Sequence, residues 1–471
     1  MSSRNTARGL IAVAALALVV ALVREDVQSR VLIRRADAYT AAKEYGRAIE
    51  SYAAVAVLGP RSALPHLRLG QVYLAQGRWD EAEAELTRTW ELDTSEDEAL
   101  VGLGVVAYER HQVEGAVRRW RGALVLNPRN VEAHYRLALS YLAASQFRLA
   151  EQELERVVLH DRDHQEGHYY LGLLLAPEDA ASASEHLDLA LTVDHGGVSE
   201  AAEQMLALLS EPEMSEDEAY ASAQLGRAYL QQGVPSLAAA ELEKVVVLEP
   251  DNYAARSYLG YALYDMGDTE RARNVLREVT RLAPKYPLGH YFLGMLHRSE
   301  GYLHTASYEF RMALRLDPWN AAAYADLAET YRLMGRYLAA GEWYRAAVEA
   351  APLEPDFRVL LAQFYVDVLP RTEEGLAAAQ EAVALAPYDP LAQDLLGWAH
   401  YLAGDLDGAQ IALEAALSLD PQFARAYYHL GVVSGQLGDE ARARWAYERA
   451  IDLDSEGTYR QRALAESGIE E

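Results

Sequence analysis

One spacing governs this chain: an alanine recurs in 34-residue steps at Ala48, Ala82, Ala116 and Ala150, again at Ala238, Ala272, Ala306 and Ala340, and once more at Ala409 and Ala443. A period of that length marks one supersecondary unit used many times, so the 471 residues add units rather than enlarge a single core. About a dozen residues before seven of these alanines a leucine-glycine pair stands, at Leu69-Gly70, Leu103-Gly104, Leu225-Gly226, Leu259-Gly260, Leu293-Gly294, Leu396-Gly397 and Leu430-Gly431, and another falls at Leu171-Gly172. An aromatic follows the pair at Tyr73, Tyr141, Tyr229, Tyr331 and Tyr365, and proline closes units at Pro60, Pro128, Pro250, Pro284, Pro318, Pro352, Pro387 and Pro421. Between these marks the apolar residues keep helical spacing, as in Leu242, Val245, Val246 and Leu248, and no stretch reads as strand.

Each mark has a mechanical reading. Glycine and alanine at the small positions let two antiparallel helices approach closely, which offsets glycine's helix cost of about 1 kcal/mol. A second set of glycines, Gly77, Gly233, Gly267, Gly301, Gly335, Gly404 and Gly438, falls where the first helix should end in a left-handed cap. The prolines disfavour helical continuation and separate one unit from the next. The whole pattern resembles the tetratricopeptide repeat, and the resemblance implies an all-α fold, an α-solenoid in which helical hairpins wind as a right-handed superhelix. Twelve units are expected between residues 29 and 457, the tenth lengthened to 35 residues at 355 to 389. The expected organisation is an N-terminal anchor segment at 1–28, a first array at 29–197, a helical and acidic linker at 198–218, a second array at 219–457 and a capping helix and tail at 458–471.

Composition narrows the partners. With 43 basic against 71 acidic side chains the formal charge is -28, which opposes the phosphate neutralisation that nucleic-acid binding requires. The absence of cysteine removes disulfides, thiol nucleophiles, cysteine zinc sites and lipoprotein acylation. From Gly9 to Val23 the run GLIAVAALALVVALV carries no charge and is flanked by Arg4, Arg8 and Arg24. As a helix it spans about 22 Å against a hydrocarbon core of about 30 Å, between a signal-peptide core and a thin membrane anchor. Val19 with Ala21 is a weak cleavage site. A start so near the amino terminus resembles bacterial membrane-tethered repeat proteins, so the expectation is a single-pass anchor in the bacterial cytoplasmic membrane. Arginines on both flanks leave open which side the repeats face.

Chemistry has no seed in the sequence. GLGVVA at Gly102 to Ala107 fits a loose dinucleotide fingerprint, but no strand precedes it and both glycines belong to the repeat. His160, Asp161, Asp163, His164 and His168 are dense enough to suggest a metal site, yet they fall at a unit's polar turn and at a position that His66, His134 and His290 also hold. Clustered acids such as Glu96, Asp97 and Glu98 read as a solvated face. No catalytic residue, cofactor, metal or small-molecule substrate is expected.

The resemblance also implies where a partner would lie. In this family the second, fifth, ninth, twelfth and thirteenth residues of each unit line a groove formed by the first helices. Here those positions include Val101, Val105, Tyr108, Tyr135, Leu139, Tyr169, Leu173, Tyr261, Tyr264, Tyr291, Met295, Trp398, Tyr401, Tyr428 and Val432, an apolar and aromatic set. Relatives that grip acidic chaperone termini place lysine, arginine and asparagine at the fifth and ninth positions, a clamp this chain lacks. The expected function is a membrane-tethered, non-catalytic scaffold that binds extended or helical apolar protein segments. The alternative is an accessory subunit of a membrane-associated enzyme complex such as a polysaccharide or glycan synthase.

Overall fold

The computed structural model describes residues 28–192, 197–454 and 457–468, and every regular element among them is helical. The expected anchor at 1–28 lies outside the described residues except for Gln28. Among the described residues no helix is long and apolar enough to cross a membrane. The chain forms two compact units, one of residues up to Ala133 together with Glu448–Glu471, the other His134–Tyr447.

In the first unit three hairpins stack: 28–41 with Tyr45–Leu58, Ala63–Ala75 with Trp79–Leu92, and Asp97–Glu109 with Val113–Leu126. The helix Thr458–Ser467 belongs to the same unit and buries Ala463 completely. Nearby, Gln76 Nε2 donates to the Asp452 carbonyl at 3.2 Å, and burial raises the Asp452 carboxyl above its ordinary range.

The second unit carries the remaining hairpins in solenoid order. Its first, Val131–Ala143 with Phe147–His160, is followed by Gln165–Leu175 with Ala180–Leu191. After the helices Ser199–Leu209 and Glu213–Glu216 the stack continues: Glu218–Gln231 with Pro235–Leu248, Tyr253–Asp265 with Thr269–Leu282, and Pro287–Ser299 with Leu303–Leu316. Ala321–Leu333 with Tyr337–Ala350, Pro355–Gln363 with Thr372–Leu385, Pro390–Leu402 with Leu406–Leu419, and Ala424–Gln436 with the start of Glu440–Leu453 complete it, the residues from Glu448 on belonging to the first unit.

The recurrent small residues sit where helices touch. Nine of the ten marker alanines, Ala48 to Ala409, are fully buried and Ala443 is 7% exposed. At Gly260 a Cβ would stand 2.5 Å from Leu276, and at Gly397 2.7 Å from Leu413, closer than real Cβ contacts come. In each case the opposing side chain lies sixteen residues on, in the hairpin's second helix. All seven cap glycines have φ between 70° and 81°, the left-handed region. Three units reach the same conformation without glycine, at Lys43 (φ 55°), His111 (φ 61°) and Ser145 (φ 56°).

Two irregularities have local causes. The helix Ser199–Leu209 begins 34 residues after Gln165, where a first helix is due, and its Ala202 and Met205 are fully buried. Gln165 ties it down by donating from Nε2 to Ser199 Oγ at 3.1 Å and to the Ala190 carbonyl at 2.9 Å. In the 35-residue unit the extra residue is absorbed as a π turn, Phe364–Val368, just before Pro370.

Candidate functional site

The residues expected to line a groove fall into three environments. Val101, Tyr169, Leu173 and Tyr428 are buried in packing between helices. Tyr169 donates its hydroxyl to Gln232 Oε1 at 2.9 Å, and the Leu173 carbonyl accepts from Tyr229 at 2.8 Å, so that part of the face is covered by the chain itself. Val105, Tyr135, Leu139, Tyr261, Tyr264, Tyr291, Met295, Trp398, Tyr401 and Val432 are half-buried. Tyr108 is exposed at 38%, its ring 6.0 Å from the indole of Trp120.

The structure draws Tyr261, Tyr291 and Met295 into one cleft of about 340 Å³ on the first helices Glu218–Gln231, Tyr253–Asp265 and Pro287–Ser299. Phe292 stacks on Tyr261 at 4.9 Å between centroids and 17° between planes, and Tyr258 closes the same wall at 5.7 Å from Phe292. Tyr291 is fixed by its hydroxyl, which donates to Asp326 Oδ2 at 2.8 Å, while Arg298 pairs with Asp326 Oδ1 at 2.6 Å. Burial and the Asp326 carboxylate push the Tyr291 phenol far above its ordinary range, so it stays a neutral donor. A second cleft of about 490 Å³ continues from the first, sharing Arg227 and Tyr258 and bounded by Tyr220, Tyr286 and Leu288.

Sequence reasoning left Tyr258 and Phe292 out of the set, because both hold the sixth residue of their units and the family's groove positions do not include it. Their aromatic identity at matching positions was the available signal.

Trp398 is set differently. Its ring lies between Tyr401 at 4.5 Å and His429 at 4.1 Å, both nearly parallel. Beneath the stack Asp394, fully buried, accepts from Arg425 Nε at 2.5 Å and pairs with His429 Nδ1 at 2.7 Å. Arg425 reaches Asp367 through its other two nitrogens at 3.1 and 3.3 Å, and Asp367 is delivered by the π turn. Burial alone would raise the Asp394 carboxyl, but His429 and Arg425 outweigh it and hold the pKa low.

The histidines of the candidate metal cluster are used separately. His164 accepts from the Gly167 amide at 3.0 Å as a helix cap, and His168 pairs with His186 across its hairpin at 2.9 Å. Among the described residues no group of three or more metal-ligating side chains converges.

Hairpins in 34-residue register, eight of them with a glycine seated against a second-helix side chain, are the geometry one repeat family requires. The tetratricopeptide repeat profile matches residues 39–103, 101–145, 135–194, 223–287, 259–318, 321–352 and 395–458. The chain belongs to the tetratricopeptide repeat family. No curated protein matches this repeat chain. Among solved structures it is similar to one of the APC/C hetero-tetramer Cut9-Hcn1, at 15% identity over 93% of this chain and 96% of that one, with a TM-score of 0.40. Yeast Tom70 gives 17% identity over 94% and 96% of the two chains and a TM-score of 0.40. YrrB, described as a TPR protein with an unusual peptide-binding site, gives 24% identity over 40% of this chain and 97% of its own, with a TM-score of 0.34. As a tetratricopeptide repeat protein the chain has the fold of a protein-interaction scaffold.

Proposed function

We propose that this protein is a non-catalytic scaffold held at a membrane by the segment Gly9 to Val23, and that it binds an apolar segment of a partner protein along the first helices of 218–299. The observation that carries the binding site is the aromatic wall of Tyr258, Tyr261, Tyr291, Phe292 and Met295, which faces a cleft of about 340 Å³ not filled by the chain. Aromatic side chains in a water-excluding cleft supply most of the energy of protein recognition. Tyr291 and Arg298 are already held by Asp326, so the wall presents itself ordered and a partner need not meet the cost of arranging it.

The test is a double substitution, Tyr261→Ala with Tyr291→Ala, in protein purified from native membranes with its partners and read by mass spectrometry. Loss of specific partners with circular dichroism unchanged supports the reading. An unaltered partner list with an intact fold refutes it. For the tether, alkaline extraction of membranes should leave the full chain in the pellet, and release into the supernatant would refute anchoring.

A further inference from the structure

Charge is unevenly placed along this chain. Residues 28–62, the first hairpin and the turn that leaves it, carry six basic against three acidic side chains, while the rest of the chain carries 37 against 68. All six cations are exposed. On the helix 28–41, Arg30, Val31, Arg34 and Arg35 fall within an arc of about 140°, and Val31 stands 60% exposed among them. Asp37 is the one acid on that helix, and it accepts from the Tyr52 hydroxyl at 2.6 Å. Arg35 donates from Nε and one Nη to the Tyr39 hydroxyl at 2.9 and 2.8 Å, a neutral acceptor that orders the guanidinium without cancelling its charge. Across the hairpin Arg47 is compensated by Glu44 at 2.7 Å, and Glu50 lines the cleft that Arg35 and Arg47 share. The positive excess therefore belongs to the first helix, three arginines to one acid.

Chain length fixes where this face must lie. Gln28 follows Val23, the end of the apolar run, by five residues, a reach of at most about 18 Å. A bilayer that holds Gly9 to Val23 thus has the helix 28–41 as its nearest described element. An anionic bilayer surface attracts each lysine or arginine close to it, through a field that fades within about 8 Å at physiological salt. The tether keeps the arginines at that range, and guanidinium groups suit phosphate oxygens. An exposed valine among them adds apolar contact at the headgroup level.

Resting on the tether reading above, we propose that the arginine face of the helix 28–41 docks on the phosphate headgroups of anionic lipids, Arg30, Arg34 and Arg35 meeting phosphate oxygens while Val31 enters the interface. The first hairpin is then a second membrane contact beside the tether, although the chain as a whole is acidic.

The full chain is first floated with vesicles of phosphatidylcholine alone. Flotation upholds the tether, and docking is then read by hydrogen exchange of peptides from 28–58 in nanodiscs of phosphatidylcholine with and without phosphatidylglycerol. The expected outcome is slower exchange only with phosphatidylglycerol, lost at about 1 M salt, where screening acts within about 3 Å. Each of Arg30→Gln, Arg34→Gln and Arg35→Gln should reduce the slowing by up to about 5-fold, with circular dichroism and exchange in 63–92 unchanged. Equal exchange in the two discs, slowing indifferent to the three substitutions, or slowing reproduced by inorganic phosphate in phosphatidylcholine discs would overturn the docking and leave the tether standing. A chain that does not float with phosphatidylcholine refutes the tether. In that case flotation with phosphatidylglycerol vesicles that the triple substitution abolishes still supports docking, and flotation that survives the triple substitution, or none, overturns it too.

Discussion

Gly104→Ala tests the close approach on which every hairpin depends. In the helix Asp97–Glu109 a Cβ at this position would overlap Trp120 Nε1 and stand 2.6 Å from its Cδ1. The indole is 1% exposed and donates to the Val101 carbonyl at 3.1 Å, so it has no room to yield without losing that bond. Overpacking costs about 1–3 kcal/mol and an orphaned buried N–H about 1–3 kcal/mol, while alanine's helix propensity returns about 1 kcal/mol. The net expectation is a loss of about 1–5 kcal/mol. Gly122→Ala is the internal comparison: it lies in the second helix of the same hairpin, where a Cβ would meet only Leu100 Cδ1, at 3.4 Å. There propensity should dominate, for a gain approaching 1 kcal/mol. Because an array need not unfold in one step, the assay is hydrogen exchange by mass spectrometry on peptides from 97–126, alongside urea unfolding followed by circular dichroism. If Gly104→Ala leaves exchange unchanged or slows it as Gly122→Ala does, the steric account of the leucine-glycine marker is wrong.

Three further outcomes follow from the geometry. His168 Nε2 donates to the Arg162 carbonyl at 3.0 Å, which makes its Nδ1 the acceptor for His186 Nδ1–H at 2.9 Å; burial first and His168 second lower the His186 pKa, against Glu185 and Glu155. His290 is raised by its hydrogen bond to Glu309. Stability from His186 is therefore present above about pH 6.5 and lost as pH falls through its lowered value, while that from His290 is present below about pH 6.5 and lost as pH rises through its raised value. Exchange measured at acid and neutral pH should show the hairpin 165–191 loosening on acidification and 287–316 tightening, and parallel responses would contradict the tautomer assignment. Lys43→Gly, His111→Gly and Ser145→Gly each relieve a side chain in the left-handed region and should stabilise their hairpins by about 0.5–1 kcal/mol in urea titrations. Asp394→Ala leaves Arg425 and His429 buried without their shared carboxylate and should cost about 3–5 kcal/mol, read as loss of protection in 390–436 and a rise in Trp398 mobility by fluorescence anisotropy.

The hairpin itself was legible because its constraints are local and repeated. In seven units a side chain sixteen residues from a glycine meets it, and in seven a glycine two residues before the second helix turns the chain. Sequence reading failed where another residue did the same work at a cost, as Lys43, His111 and Ser145 do with positive φ, since nothing in their chemistry announces the turn. It also could not see the π turn: the 35-residue spacing showed an extra residue but not whether a loop or a helix would hold it. For the groove, repeat position told which residues could face a partner. It could not tell which faces the chain would cover, because Tyr169 and Leu173 are sealed by Tyr229 and Gln232, 56 to 63 residues away.

Those differences show that one repeat position serves two ends within the second unit. Tyr261 and Trp398 both hold the ninth residue of their units. Beside Tyr261 the wall is fixed by the Tyr291 to Asp326 bond, and the Tyr261 ring lines the cleft. Around Trp398 the π turn brings Asp367 to Arg425, Arg425 brings its charge to buried Asp394, and Asp394 fixes His429 flat against the indole. Desolvating Asp394 is costly unless it is paired, and Arg425 and His429 both hold it, so the aromatic face is fixed by the chain's own polar contacts. The extra residue of the tenth unit thus converts a potential anchor into structure. Between Glu218 and Ser299 the aromatic wall instead lines a cleft that the chain does not fill.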